Sequence, residues 1–163
     1  MNFLIRPVAE KDVLFLWEML YQAIYVPEGQ QPPSRDILKQ PAIEKYMKGW
    51  GRPHDHAMIA VDGEDNPIGA VWIRLLDRDH AGYGFVDDHT PELGMAILPD
   101  GRGKGIGKQL LSAMFELARS HNYLALSLSV DPRNTPALRL YEKSGFEMVY
   151  QDAGGSWTMK KVL

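Results

Sequence analysis

The chain has 163 residues, of which 45% are hydrophobic and 24% are charged, and these values predict one soluble globular domain over residues 1–163. The absence of cysteine excludes disulfide bonds, thiolate metal sites and a cysteine nucleophile, and a net charge of −3 argues against nucleic-acid binding. No apolar run is long enough to span a membrane, and the N-terminal residues lack a signal-peptide pattern, so we expect a cytoplasmic protein.

The N-terminal part of the sequence predicts a strand, a helix and an irregular segment, in that order. Phe3–Arg6 has the composition of a short strand, and residues 10–25 carry apolar side chains at helical spacing. Proline and glycine interrupt residues 26–56, where only short helical pieces are expected, at 34–38 and 43–47. This irregular segment therefore separates the first helix from the strands that follow.

The middle of the sequence predicts a hairpin, a polar loop and another strand. The apolar segments Ala57–Asp62 and Pro67–Leu76 flank a turn rich in Asp, Gly and Asn. Residues 77–91 are rich in Asp, His and Gly and are expected to form a loop. Glu92–Leu98 is then a strand that ends at Pro99.

A β–α–β unit begins at the strand that starts with Glu92. An amphipathic helix is predicted from Gly103 to about His121, and the strand Leu124–Val130 follows it. A strand, a helix and a strand in this order imply a parallel strand pair with a right-handed crossover. The neighbouring hairpins imply antiparallel strands on either side of that pair.

The C-terminal part predicts a helix and a last hairpin. Asn134 is expected to cap a helix over Pro136–Ser144, and Gly145 to end it. Phe146–Gln151 and Ser156–Val162 would form the hairpin. The sequence therefore predicts an α/β protein with one mixed sheet, in the element order β, α, α, β, β, β, α, β, α, β, β.

A glycine-rich turn joins the strand at 92–98 to the long helix. Backbone N–H groups at the start of a helix, unobstructed by Cβ atoms, form an anion site suited to phosphate. Lys104 and Lys108 add positive charge nearby. The same glycines would equally allow a tight helix start without any ligand. Both interpretations remain open for the residues of this turn, which are Arg102, Gly103, Lys104, Gly105, Ile106, Gly107 and Lys108.

Two familiar nucleotide-binding motifs do not fit this turn. A P-loop requires a glycine five residues before its Gly-Lys pair and Ser or Thr after it, but Arg102 and Gln109 occupy those positions. A dinucleotide-binding fingerprint that starts at Gly103 requires a third glycine where Lys108 stands. The turn therefore belongs to neither class.

Two sequence blocks resemble the GNAT superfamily of N-acetyltransferases. Residues 102–107 are similar to the family's Gln/Arg-x-x-Gly-x-Gly/Ala pyrophosphate loop. Residues 134–146 resemble its second signature, Asn-x-x-Ala-x-x-x-Tyr-x-x-x-Gly-Phe. The blocks stand in the family's order within residues 92–146. The resemblance implies the acyl-CoA N-acyltransferase fold, with about seven strands and four helices, and acetyl-CoA as cosubstrate without a metal.

The resemblance also implies which residues hold the cosubstrate. Ile97 and Leu98, at the end of their strand, would bind the pantetheine amides. The backbone N–H groups of residues 102–108 would bind the pyrophosphate. Asn134 and Ala137 would line the far side of the pantetheine arm, although Asn134 also fits a purely structural helix cap.

Two residues are implied to be catalytic. Tyr141 would donate a proton to the CoA sulfur, since a tyrosine with a pKa of about 10 is protonated at neutral pH. On an amphipathic helix it equally fits a core position. Glu92 would accept the amine proton through water, as a carboxylate on this strand often does in the family, or it is a solvent-facing strand residue. Other candidates for the base lie in the preceding loop: His80, His89, Asp87 and Asp88.

The acceptor is expected to be an amine, of a small molecule or of a peptide. The loop before Glu92 concentrates negative charge, which would attract a cationic amine; its acidic residues are Asp77, Asp79, Asp87 and Asp88. Trp50 and Trp72 fit a pocket wall or the core. In this family the segment 26–56 would border the acceptor site, although it also fits a plain connection.

The expected reaction is direct acetyl transfer in a ternary complex, without a covalent enzyme intermediate. A non-catalytic acyl-CoA-binding regulator on the same fold is the alternative, because it would keep the pyrophosphate loop and require neither acid nor base. The resemblance also makes a homodimer possible, through the C-terminal strands.

Overall fold

Seven strands form one sheet in the computed structural model, which describes residues 2–163. Their order across the sheet is β1-β2-β3-β4-β5-β7-β6. The pair β4 and β5 is parallel and the other neighbours are antiparallel, which confirms the predicted mixed sheet with a central parallel pair. The strands are β1 (Phe3–Pro7), β2 (His56–Asp62), β3 (Pro67–Arg74), β4 (Glu92–Ile97), β5 (Ala125–Val130), β6 (Glu147–Gln151) and β7 (Trp157–Val162).

Four α-helices accompany the sheet, as predicted, but two of them are shorter than the sequence pattern suggests. The helix predicted at 10–25 is preceded by a 3-10 turn and covers only Val13–Gln22. The piece expected at 43–47 lies slightly earlier and spans four residues. The helices are α1 (Val13–Gln22), α2 (Pro41–Glu44), α3 (Ile106–Ser120) and α4 (Thr135–Lys143). None of the helices within residues 2–163 combines the length and the apolar character that crossing a membrane requires.

Apolar side chains cover both faces of the sheet and form two cores. On one face, α3 contributes Leu110 and Met114, which pack with Leu126 of β5. On the other face, α1 contributes Leu16 and Met19 to a second cluster that also contains residues of β2, β3 and β4. Because the central strands are covered on both sides, they are apolar along most of their length. The parallel pair therefore lies between two layers of helix.

A buried arginine attaches the irregular 45–55 segment to the sheet. Arg74, at the end of β3, is fully buried and forms two hydrogen bonds with Asp55, of 2.9 and 2.8 Å. Its third nitrogen donates to the carbonyl oxygens of Lys45 and Lys48, at 2.9 and 2.7 Å. A buried charge is tolerated when it is paired and hydrogen-bonded in this way. The segment between α2 and β2 is therefore held in one position against the sheet.

Two stacked histidines at the same end of the sheet, where His56 pairs with Ile73 beside Arg74, predict a pH-dependent stability. The rings of His56 and His121 lie 4.1 Å apart. Burial, and then the neighbouring His121 and His54, lower the pKa of His56 below its ordinary value of 6.5, and Asp55 opposes them. The unfolded chain therefore binds the proton more readily, so stability is present above the ordinary pKa and is lost as the pH falls below it.

We expect the thermal unfolding midpoint to decrease as the pH is lowered from about 7 to about 5. His56→Gln should reduce this pH dependence. Differential scanning fluorimetry across the pH range measures it. The exposed His89→Gln is the matched control. An unchanged slope in His56→Gln would contradict the assignment.

Candidate acyl-transfer site

Strands β4 and β5 separate almost as soon as they meet. They share one register pair, Glu92 with Ser127, and Ser127 N–H donates to the Pro91 carbonyl at 3.0 Å. No further pair follows within the described residues, so a gap opens toward the carboxyl ends of the two strands. Backbone groups of alternate residues point to opposite sides of a strand. Those of Met95 and Ile97 therefore face this gap rather than β3.

The two residues predicted to bind pantetheine differ in their backbone partners. Leu98 N–H donates to the Ile68 carbonyl at 2.9 Å, and Leu98 C=O accepts from Gly101 N–H at 2.9 Å. Both backbone groups of Leu98 therefore already have a partner, in β3 and in the following turn. Ile97 C=O accepts from Arg102 Nε at 3.0 Å, and Ile97 N–H remains on the gap side.

The glycine-rich turn presents a series of unpaired backbone donors. Helix α3 begins three residues later than predicted, because Gly103 and Gly105 adopt left-handed φ angles of +75° and +82°. Its first helical hydrogen bond runs from Gln109 N–H to Gly105 C=O, at 3.3 Å. Within residues 2–163, no protein group accepts from the N–H groups of 103–108. Donors of this kind at the positive end of a helix form an anion site.

The side chains of the turn leave these donors accessible. Arg102 reaches back to β4, and Lys104 Nζ donates to the Asp100 carbonyl at 2.8 Å. Both side chains are exposed, as is Lys108, which adds to the positive charge around the turn. Ile106 is buried in the core and fixes the start of the helix.

The three glycines of the turn serve two physical purposes. A Cβ on Gly103 or Gly105 would meet nothing within 4 Å, so these two positions require glycine for their φ angles. A Cβ on Gly107 would lie 2.9 Å from Leu140 Cδ2 and 3.3 Å from Ile97 Cδ1. Gly107 therefore allows α3 to approach α4 and β4 closely, and α4 lies beside the gap.

A substitution at Gly105 isolates the conformational requirement. In Gly105→Ala we expect the free energy of unfolding to fall by about 1–2 kcal/mol, because a left-handed residue with a Cβ is strained while the new methyl contacts nothing. Urea denaturation measures this loss. Gly63→Ala is the control, since Gly63 has equal space and no positive φ. Equal stabilities of the two variants would contradict the prediction.

Asn134 stands at the start of α4 but does not cap it. Its side chain makes no cap hydrogen bond, so the predicted capping role is wrong. Its backbone φ and ψ of −77° and 74° do not match the extended geometry of a capping residue. Pro136 already removes one donor of the first turn. Asn134 and Ala137 are both partly exposed near the carboxyl end of β5.

Tyr141 lies in the core with an unpaired hydroxyl. It is 7% exposed and packs edge to face against Phe146, with the ring centroids 5.8 Å apart. No group within residues 2–163 forms a hydrogen bond with its hydroxyl, which is nevertheless not fully enclosed. Burial raises the pKa of Tyr141 to about 12. The side chain therefore packs in the core and keeps a protonated hydroxyl.

Glu92 is buried rather than solvent-facing. It is 1% exposed, and its carboxylate accepts from Gly82 N–H, Gly84 N–H and Tyr46 Oη, at 2.9, 2.9 and 3.1 Å. Burial raises the pKa of Glu92, whereas these three hydrogen bonds and Lys45 act to lower it. The expectation of a solvent-facing residue is therefore wrong, and protein donors surround the carboxylate.

The other candidate bases form hydrogen bonds within their own loop. His80 Nδ1 pairs with Asp77 at 2.8 Å, and both side chains are exposed. Asp88 accepts from Arg78 N–H at 2.9 Å. Asp87 accepts from His89 N–H and from Thr90 Oγ1, both at 2.8 Å. None of these described side chains forms a hydrogen bond with Glu92. Three of the loop's carboxylates instead accept hydrogen bonds from groups of the same loop.

Neither predicted tryptophan is an open pocket wall. Trp72 is 1% exposed, packs in the second core, and its Nε1 has no acceptor in the described part of the chain. Trp50 is partly buried, with the Arg74 guanidinium 5.5 Å from its ring centre. Both belong to the structure that supports the site.

Sequence reasoning missed Tyr46 and the glycines on either side of Tyr83. These residues surround the Glu92 carboxylate although they lie 8–46 positions away in the chain. The available signal was the Gly-Tyr-Gly tripeptide, whose glycines mark close backbone approach. Among the described residues, no group of three or more His, Cys, Asp or Glu side chains is arranged to hold a metal ion.

Several known proteins are similar to this chain in sequence or in fold. The model of the acetyltransferase (GNAT) family matches residues 16–146. The chain is 30% identical to the uncharacterized N-acetyltransferase YycN of Bacillus subtilis over 130 residues, which cover 80% of this chain and 77% of that protein. It is also 30% identical to a mycothiol acetyltransferase of Propionibacterium freudenreichii over 123 residues, or 76% of this chain.

The second of these relatives is much longer than the matched region, which covers 37% of it. A solved structure, a GCN5-related N-acetyltransferase from Kribbella flavida, superposes with a TM-score of 0.69 at 18% identity. That superposition covers 99% of this chain and 98% of the other. It shows a shared fold.

Proposed function

Because this chain belongs to the acetyltransferase (GNAT) family, we propose that it transfers the acetyl group of acetyl-CoA to a primary amine. One observation carries the proposal. The gap between β4 and β5 lies next to a turn whose backbone donors, residues 103–108, have no acceptor within the described chain. Such an arrangement suits a ligand with a diphosphate at one end and an extended amide-containing arm at the other.

The chain offers suitable groups for each part of that ligand. The unpaired N–H groups of 103–108 fit a diphosphate, and the open space at Gly103 and Gly105 lets it approach the backbone. Ile97 N–H faces the gap and can donate to an amide oxygen of the pantetheine arm. Asn134 and Ala137 are partly exposed at the carboxyl end of β5, where they would line the other side.

The reaction would be an aminolysis of the thioester. The neutral amine attacks the carbonyl carbon, the new C–N bond forms, and the C–S bond breaks as the thiolate leaves. A backbone N–H on the gap side of β4 stabilises the developing oxyanion. The Tyr141 hydroxyl, kept protonated by the pKa of about 12 that burial produces, gives its proton to the sulfur. Water takes the proton that the amine loses, and a proton from solvent restores the Tyr141 hydroxyl.

The acceptor would be the amine of a small molecule or a peptide. The Propionibacterium relative is named for mycothiol, which favours a small-molecule acceptor. The partly exposed Tyr25, three residues after the end of α1, contacts Arg133 on the β5–α4 connection, with the Arg133 guanidinium 5.6 Å from its ring centre. The segment after α1 therefore approaches the mouth of the gap, where an acceptor would enter.

A turnover assay tests the proposal. The protein is incubated with acetyl-CoA and, separately, spermidine, Nα-acetyl-lysine amide and L-phenylalanine amide, and thiol release is followed. We expect acetyl-CoA to raise the thermal midpoint and at least one amine to release CoA. Stabilisation without turnover on any amine would instead favour a non-catalytic acyl-CoA-binding protein. No stabilisation and no turnover would overturn the proposal.

A further inference from the structure

Residues 82–84, here called the strap, present three successive backbone N–H groups to one buried pair of side chains. Gly82 and Gly84 donate to the two oxygens of Glu92, each at 2.9 Å. Tyr83 N–H donates to Tyr46 Oη at 2.7 Å, and that hydroxyl donates to Glu92 at 3.1 Å. All three donors of the strap are therefore satisfied by two side chains from other elements.

Close packing fixes the strap in this position. A Cβ on Gly82 would collide with Tyr46 Oη and Glu92 Oε1, and one on Gly84 would lie 2.6 Å from the Leu128 carbonyl carbon of β5. Only glycine leaves room for these approaches. The strap therefore lies directly on β5, on the sheet face that carries Glu92.

The backbone of the strap also contacts β7, whereas the ring of its central residue, Tyr83, is exposed. Tyr83 C=O accepts from Thr158 Oγ1 at 3.3 Å. The Tyr83 side chain is 52% exposed, although its backbone is held on both sides. The backbone of the strap lies over β5 at Leu128, one residue beyond the pairing of β5 with β4, which is the start of the gap. A rigid backbone that carries an exposed aromatic ring is suited to contact a ligand.

We infer that Glu92 and Tyr46 are positioning residues, and that they hold the strap so that Tyr83 forms a wall of the acceptor side of the site. This inference rests on the proposed acetyl transfer. Glu92 then does not take the amine proton. A wall formed by Tyr83 would favour amines whose carbon skeleton or second cationic group lies against its phenol ring.

The surroundings of Glu92 support a positioning role over a basic one. Its oxygens face three donors: two N–H groups of the strap and the Tyr46 hydroxyl. The nearest positive charge, Lys45, is directed to the Ala81 carbonyl at 2.8 Å and thus also holds the loop. Buried Arg74, the register neighbour of Glu92 on β3, is committed to Asp55. Protonation of Glu92 would replace charge-assisted hydrogen bonds with weaker neutral ones and so loosen the strap.

Kinetics of Tyr46→Phe, Glu92→Gln and Tyr83→Ala, with the amine of highest kcat/KM among the three assayed, separate the two roles. We expect each variant to raise KM for the amine about 3- to 10-fold, the effect of one or two lost contacts, with little change in KM for acetyl-CoA. The acidic limb of kcat/KM against pH should stay in place in Glu92→Gln. It should move with the pKa of the amine when a second amine is used.

Amide hydrogen exchange tests the strap independently of turnover. In Tyr46→Phe and Glu92→Gln we expect exchange at residues 82–84 to accelerate about 3- to 10-fold, whereas the exposed Glu116→Gln should match the wild type. Unchanged exchange in both variants would overturn the inference even if the protein transfers no acetyl group. Loss of the acidic limb in Glu92→Gln, with the strap still protected, would also overturn it and identify Glu92 as the base.

Discussion

Tyr141→Phe is expected to lower kcat by about 10²–10⁴-fold, the usual contribution of a positioned acid. The substitution removes one oxygen and leaves the ring, so its contact with Phe146 in the core remains. The hydroxyl has no protein partner among the described residues. Its removal therefore breaks no internal hydrogen bond, and stability should change little. KM for acetyl-CoA should also stay close to the wild-type value.

Steady-state kinetics with the best of the three amines measures the effect, and Tyr123→Phe is the control. Tyr123 precedes β5 at the end of the sheet away from the gap, where its hydroxyl pairs with His54. Because burial raises the pKa of Tyr141 to about 12, the wild-type rate should not fall through loss of this proton at moderately alkaline pH. A Tyr141→Phe variant with full activity would remove the assignment of Tyr141 as the acid.

The fold was largely predictable because its signals are local. Apolar periodicity separated the strands from α3, and the strand–helix–strand order after Glu92 implied the parallel pair. The predicted start of α3 was three residues too early. Glycine adopts helical and left-handed φ angles about equally readily, so the sequence did not show that Gly103 and Gly105 are left-handed. The short α2 has too few residues to show a period at all.

The candidate site was predictable only where its residues are contiguous. The turn at 102–108 could be identified because its glycines and basic side chains are neighbours in the sequence. The environment of Glu92 could not, because Tyr46 and the strap reach it from two distant segments. Backbone partners are also invisible to side-chain patterns, which is why Leu98 was expected to bind a ligand while its N–H already donates to Ile68.

Arg74→Met is expected to be the most destabilising of the variants considered, by about 3–5 kcal/mol, because it leaves the Asp55 carboxylate buried without its charged partner. The Arg74 and Asp55 side chains are 0% and 1% exposed. The carbonyl oxygens of Lys45 and Lys48 lose their donor as well. Urea denaturation measures the loss, and the exposed Arg119→Met should stay within about 0.5 kcal/mol of the wild type.

The double variant Arg74→Met, Asp55→Asn decides whether the pairing itself causes the loss. If it does, the double variant should be less destabilised than the sum of the two single variants, since the second substitution removes the carboxylate that the first leaves unpaired. Strict additivity would mean that the two side chains act separately. Arg74 also fixes the segment that carries Tyr46. A folded Arg74→Met protein should therefore show faster amide exchange at the strap, which would link the buried ion pair at the end of β3 to the proposed acceptor side of the site.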